Sequence, residues 1–408
     1  MTEKSAIRIL VLDDEPFMIK LLSRMLANLS FTHVITCDNG NAALEWVDSP
    51  DKHPDLVLLD LNMPEMDGVE FARKLVEHRY TGSLILVSGE GERILQTVVK
   101  LAQAHKILVL GHLQKPVSLE ELKALIGKWV PPSQDRPSQL VGKEYSVNEV
   151  RAAISNGELI NYYQPKVEVA TGRLVGVEAL VRWQHPVNGM VFPGQFIGVA
   201  ETHGLIDDLT RAVLTDALTQ ARLWQEMGLA LRVSVNLSMD NLASLDFVDF
   251  VAGQAAAAGV LPQQMMLEVT ESRLMQDMRA PFEILTRLRL KQFHLSIDDF
   301  GTGHSSLIQL RDIPFDELKI DQSFVHGACN NNTARAMFDA SLGLAKQLKM
   351  EVVAEGVEDQ DDWDFLRSTR CDIAQGYFIA RPMPAAELPG WLTSWQTRMQ
   401  GKFPPLRK

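Results

Sequence analysis

Seven short apolar runs in the second half of this chain each reach a polar residue near one end: Glu178, Asn236, Glu268, the pair Asp298 and Asp299, Asp321, Glu355 and Gln375. The runs VGVEALVRW, RVSVNLS, MMLEVTES, HLSIDDFG, DELKID, VVAEGVE and IAQGYF have the β-branched-rich character of buried parallel strands. Helical periodicity over 209–227, 282–291 and 334–349 separates several of them, so strand and helix alternate as in a (β/α)8 barrel of the TIM type. In that architecture the C-terminal strand ends converge on one face, where the chemistry sits. One carboxylate at a strand end needs only water around it. Five or more on one face repel one another and raise each other's pKa unless a cation neutralises them. Oxygen donors of this kind select Mg2+, Mn2+ or Ca2+, so the pattern predicts a metal-holding mouth rather than a solvated rim.

A length of 408 residues predicts two or three domains, and 46% hydrophobic with 23% charged residues places them in the ordinary soluble globular class. The start MTEKSAIRIL carries no apolar stretch of signal-peptide type, and no run of about 18 apolar residues occurs. The expectation is a cytoplasmic protein without a membrane partner. Cys37, Cys329 and Cys371 are far apart and lack CxxC spacing, which predicts free thiols. Forty basic against 52 acidic side chains, a net charge of −12 and no basic run argue against DNA as a partner. The proline-rich stretch WVPPSQDRPSQLV lies between two regions of strong apolar periodicity. It predicts a domain at 1–128, a semi-rigid linker at 129–145 and a second domain at 146–400, entered through a helix over Val147 to Ile154.

In the first domain the runs IRILVLDD, HVITCD, DLVLLDLN, SLILVSG and ILVLGHLQKP alternate with helical stretches, the first from Pro16 to Leu29. They predict a five-stranded, doubly wound α/β sheet, in which ligands collect at the carboxyl ends of the strands. Those ends supply Asp13, Asp14, Asp60, Ser88 and Lys115. This ordered set resembles a response-regulator receiver domain. The resemblance implies a phosphoacceptor at Asp60, fed by a cognate histidine kinase. It also implies one Mg2+ or Mn2+ held by Asp13 or Asp14 with Asp60 and the Asn62 carbonyl, a hydroxyl switch at Ser88, and a phosphate contact from Lys115. Three acids around a phosphoryl group need a metal and a cation to offset them, which agrees with that set. His112 stands where receivers usually carry an aromatic switch residue. It either replaces the aromatic, or leaves readout to another route, or has no role.

In the second domain Glu178-Ala179-Leu180 is accompanied by YYQPKV at 162–167, NLS at 236–238, EVTES at 268–272, DDFGTGHSSL at 298–307, KID at 319–321, EGVE at 355–358 and QGYFIARPMP at 375–384. The ordered series resembles the EAL family of cyclic-di-GMP phosphodiesterases. The resemblance implies two Mg2+ or Mn2+ ions, one on Glu178, Asn236, Glu268 and Asp298, the other on Asp298 and Asp299 with Glu355. Asp321 and Gln375 complete the inner or outer shell, and Gln164, Arg182 and Gln375 are candidate substrate contacts. Lys319 and Glu355 both remain candidates for activating the nucleophilic water. Glu271 is implied to hold the loop 299–307, where His304 replaces the family's usual tyrosine.

The function implied is a two-component response regulator that hydrolyses cyclic-di-GMP to linear pGpG under control of Asp60. The alternative is a cyclic-di-GMP receptor without turnover, which would tolerate loss of Glu178, Asp299 or Glu355, all present here. A transcription regulator would need a helix-turn-helix or basic helix after the receiver, and none is read. Both domain types resemble families that form dimers, so a homo-oligomer, dimer or higher, is expected.

Overall fold

The computed structural model describes residues 7–49, 53–78, 80–89, 107–129, 145–270, 279–301 and 307–400, together with Leu95, Val98, Val99 and Ala102. Most of the proline-rich stretch lies outside them, as do Glu271 and His304. The chain divides into two compact units, Met1–Gly142 and Lys143–Lys408.

In the first unit the strands β1 (Arg8–Leu12), β2 (His33–Cys37), β3 (Leu56–Asp60), β4 (Ser83–Ser88) and β5 (Leu108–Gln114) form one sheet in the order β2-β1-β3-β4-β5. All pairings are parallel. The inner strands β3 and β4 are buried along their whole length, which explains their unbroken apolar reading. Helices Pro16–Asn28 and Leu119–Gly127 cover one face, through Met18, Leu22, Leu26, Leu122 and Ile126. Helices Gly40–Val47 and Gly68–Glu77 cover the other, through Ala43, Leu44, Phe71 and Leu75. With β1 beside β3, the chain reverses its winding where Asp13 and Asp60 emerge. That is the crevice in which doubly wound sheets gather ligands.

The second unit closes a barrel from β6 (Leu159–Glu168), β7 (Leu174–His185), β9 (Arg232–Leu237), β10 (Met265–Thr270), β11 (His294–Phe300), β12 (Glu317–Ile320), β13 (Glu351–Ala354) and β14 (Ile373–Ala374), with short β8 (Gly189–Val191) and β15 (Met383–Pro384) as appendages. Seven staves run parallel, but β6 is antiparallel to both its neighbours, β7 and β14. The expected (β/α)8 barrel of TIM type is present, its seven parallel staves being the seven apolar runs of the sequence, and β6, which is not one of those runs, points the other way. The reason is local: β6 turns into β7 within residues 169–173, where Gly172 N–H donates to the Glu168 carbonyl and Glu168 N–H to the Arg173 carbonyl. A parallel return needs about a dozen residues of crossover.

Helices including Ile206–Glu226, Asp246–Ala258, Arg279–Leu290 and Asn332–Gln347 pack outside the staves around one continuous apolar core. The barrel interior departs from the usual branched aliphatic layers. Lys166, Ser234, Glu268, Ser296, Glu317 and Lys319 are all buried there. Among the described residues no helix is long and apolar enough to cross a membrane. Cys37 and Cys371 are buried, Cys329 is exposed, and all three are free.

Candidate active site

Pairing register determines which acids meet. Gln164 lies opposite Glu178, Glu178 opposite Ser234, Asn236 opposite Glu268, and Thr270 opposite Asp298. Because side chains alternate along a strand, the inward positions climb each stave toward the C-terminal mouth and end in the predicted acids.

Lys319 stands at the centre. Its ammonium lies 2.8 Å from Glu268, 2.8 Å from Glu355, 3.0 Å from Asp298 and 3.5 Å from Glu178. Burial disfavours that charge, but the four carboxylates outweigh it and hold Lys319 well above the usual lysine range. A second buried lysine, Lys166, lies 2.6 Å from Glu268 Oε1, 2.8 Å from Ser234 Oγ and 3.3 Å from Glu317. Glu268 therefore has an ammonium on each oxygen. Burial pushes its carboxyl up, and the two lysines overcome that and hold it at about 2. Glu355 is pushed up to about 8, chiefly by desolvation, against the pull of Lys319 and with added repulsion from Asp298 and Glu178. Asp298 is raised by burial and by Glu268 and Asp299, against Lys319.

Glu178 is held by amides. Asn236 Nδ2 donates to Oε1 at 2.8 Å and Gln375 Nε2 to Oε2 at 2.7 Å. Gln375 Nε2 also reaches Gln164 Oε1 at 3.0 Å, and Gln164 Nε2 donates to the Ala380 carbonyl at 3.0 Å. Consecutive aspartates on a regular strand would face opposite sides, yet Asp298 and Asp299 both join the site. The pairing of β11 with β12 slips between Ile297 and Phe300, and Asp299 adopts the left-handed conformation at φ 55°. Aspartate tolerates that region better than most residues.

Two carboxylate groups result, Glu178 with Glu268 and Asp298, and Asp298 with Asp299 and Glu355, each with ligand atoms within 4.8 Å of one another. Asp298 belongs to both. Six carboxyl groups, Glu317 among them, face two ammoniums, so oxygen donors outnumber cations in a buried cleft. That donor set fits hard divalent cations.

Asp321, Glu355 and Gln375 line a cavity of about 250 Å3 with Gln164, Asp299 and Tyr377. Asp321 stands apart from both carboxylate groups and caps the helix Gln322–Val325, accepting from Ser323 N at 2.9 Å. Arg182 lies beside the rings of Tyr162 and Phe192, 5.7 and 5.3 Å from their centroids, and donates to the Val181 carbonyl at 2.9 Å. Lys166 and Glu317 were not singled out in the sequence. The available signal was Lys166 two positions after Gln164 in YYQPKV, hence on the same inward face of a buried strand.

In the receiver unit Asp13, Asp14 and Asp60 bring carboxylate oxygens within 4.8 Å of one another. Lys115 Nζ lies 3.0 Å from Asp13 and 3.2 Å from Asp60. Burial first, then Asp13, raises the Asp60 carboxyl against the pull of Lys115. Three acids and one ammonium again form a donor set suited to a hard cation. Ser88 is buried at the end of β4, Asn62 is exposed just after Asp60, and His112 is half-buried on β5 opposite Leu86.

The family model described as EAL domain matches residues 147–382, and the one described as response regulator receiver domain matches residues 9–127. RocR of Pseudomonas aeruginosa, a protein named cyclic di-GMP phosphodiesterase, is 33% identical over 379 residues, spanning 93% of this chain and 96% of RocR. MucR of the same organism, named a bifunctional diguanylate cyclase/cyclic di-GMP phosphodiesterase, is 40% identical over 243 residues, 59% of this chain and 36% of MucR. A solved structure described as the PaMucR phosphodiesterase in a c-di-GMP complex superposes with a TM-score of 0.57 at 40% identity, covering 59% of this chain and 98% of that one. The chain belongs to the EAL domain family and carries that domain behind a response regulator receiver domain.

Proposed function

We propose that the barrel unit is a metal-dependent phosphodiesterase that opens one phosphodiester bond of cyclic-di-GMP to give linear pGpG, and that phosphorylation of Asp60 by a histidine kinase modulates it. The carrying observation is the pair of carboxylate groups sharing Asp298, with Lys319 among them. The name of RocR and the ligand in the MucR structure support the substrate.

Glu178, Asn236, Glu268 and Asp298 would hold one Mg2+ or Mn2+, and Asp298, Asp299 and Glu355 another. When bound, such ions supply Lewis acidity toward water and the phosphoryl oxygens. The remaining work falls to the chain. Asn236 and Gln375 fix both oxygens of Glu178. Lys319, its ammonium within 3.5 Å of four carboxylates, stabilises charge developing on the phosphoryl group. Glu355, 2.8 Å from Lys319, is the proton acceptor, ionised when a cation offsets its repulsion from Asp298 and Glu178. An oxygen–phosphorus bond forms from water, whose proton passes to Glu355, the bond to the 3′ oxygen breaks, and that oxygen takes a proton from solvent to become the 3′ hydroxyl of pGpG. Gln164 and Gln375, on the cavity wall, and Arg182 contact the substrate.

In the receiver, Asp60 is the nucleophile, Asp13 and Asp14 would hold a cation with it, and Lys115 takes up the product's charge. The same reading makes the chain a cytoplasmic homo-oligomer.

The test is turnover of cyclic-di-GMP by the full chain in Mg2+ or Mn2+. The expected result is pGpG, absent with EDTA and absent in Glu178→Ala. Binding without turnover in either metal overturns the enzyme reading in favour of a receptor.

A further inference from the structure

Asp362 is a buried carboxylate outside both carboxylate groups, with its side chain 1% exposed, on the first turn of the helix Gln360–Arg367. Three donors converge on it. His326 Nδ1 lies 2.8 Å from Oδ2, Glu358 N–H donates to the same oxygen at 3.0 Å, and Gly327 N–H donates to Oδ1 at 2.9 Å. An ionised carboxylate only accepts, so the His326 proton sits on Nδ1. The Asp362 backbone N–H is itself held by Asp359 Oδ1 at 2.9 Å.

These donors come from two different mouth loops. His326 and Gly327 follow the helix Gln322–Val325, which begins at Asp321 directly after β12. Glu358 closes the segment that starts at Glu355 after β13. Asp321 and Gln322 line the catalytic cavity from the first loop, and Glu355, Gly356 and Glu358 line it from the second. The two loops touch closely, since a Cβ added to Gly356 would lie 2.2 Å from Gln322 Cβ. Any slip of one past the other changes the cleft.

We propose that His326 and Asp362 are positioning residues that fasten the loop after β12 to the loop after β13 and thereby set the width of the substrate cleft. The proposal rests on the phosphodiesterase reading of that cleft. His326 is faced by Asp362, by Glu358 at 3.9 Å and by Asp359. All three are acidic, and the hydrogen bond that His326 donates to Asp362 chiefly raises the His326 pKa. His326 is half-exposed, at 49%, so its removal leaves the buried core intact.

The experiment compares wild type, His326→Ala and His326→Asn in the full chain, reading kcat, KM, the Kd for cyclic-di-GMP with Ca2+ in place of Mg2+, and the barrel unfolding temperature. Asparagine offers an N–H close to the position of Nδ1, so it restores the fastening without the imidazole. The expected result is a rise in KM and Kd of about ten-fold or more in His326→Ala, the low end for one charge-assisted hydrogen bond. In the same variant kcat stays within about two-fold and the unfolding temperature is nearly unchanged, and His326→Asn recovers most of the loss. Wild-type KM and Kd in His326→Ala, or a fall in kcat alone, overturns the proposal. Wild-type protein that binds without turnover overturns the phosphodiesterase reading only, and the Kd comparison then decides the fastening by the same criterion. Wild-type protein that neither binds nor turns over cyclic-di-GMP overturns both.

Discussion

Four carboxylates within 3.5 Å of one ammonium make Lys319 the residue on which the mouth depends when no divalent cation is bound. Removing one partner from a buried ionic group typically costs about 3–5 kcal/mol, because the charges left behind stay desolvated. Lys319→Met is therefore expected to lower the barrel unfolding temperature sharply in EDTA. Excess Mg2+, which can neutralise the same oxygens, should return much of the loss while leaving the variant with severely reduced turnover. Differential scanning calorimetry with and without Mg2+ reads this directly, and an EDTA deficit that Mg2+ leaves untouched would show that the carboxylates are not the cation's ligands. The acids themselves were legible, because Glu178, Glu268, Asp298 and Glu355 interrupt apolar runs at the end that a barrel turns toward its mouth. Lys166, Glu317 and Asp362 were not. Each finds its partners across barrel closure or between loops, with Lys166 meeting Glu268 from a strand 102 positions away in sequence. Local pattern carries no information on such a pairing.

Strand runs and outer helices follow from periodicity, while strand direction does not. Nothing in YYQPKV distinguishes an antiparallel stave from a parallel one, and only the short link at 169–173 forces β6 to run backwards. The slip in β11 is equally invisible, although DD at a strand end hints that one aspartate must leave the regular alternation. Gly356 is another element-scale requirement: its φ is 66°, and Gln322 occupies the space a Cβ would need. A left-handed conformation imposed on alanine, with a clash added, costs about 1–3 kcal/mol. Gly356→Ala is predicted to lower the barrel transition in calorimetry and, by displacing its neighbour Glu355, to reduce kcat/KM. An unchanged barrel transition would mean the loop relaxes freely around the added methyl group, contrary to the tight contact between the two mouth segments.

Two compact units, each with its own acid-lined site, raise the question of whether the sites sense one another. Coupling between them is a free energy shared by both ligands, so it must appear identically from either side. A beryllofluoride adduct on Asp60, standing in for the phosphoryl group, is predicted to change the affinity for cyclic-di-GMP by about five-fold or more, the low end of ordinary allosteric coupling. Thermodynamic linkage then demands that saturating cyclic-di-GMP, with Ca2+ preventing turnover, change the apparent affinity for beryllofluoride by the same factor and in the same direction. Calorimetric titrations in both orders test this, with Asp60→Asn as the chain that cannot form the adduct. Equal factors on both sides, absent in Asp60→Asn, establish that the receiver and barrel share one equilibrium. Affinities that ignore the other ligand in both directions would leave two competent sites on one chain with no binding linkage between them, and an unchanged kcat in the adduct would then remove the regulatory part of the proposed function while leaving the phosphodiesterase intact.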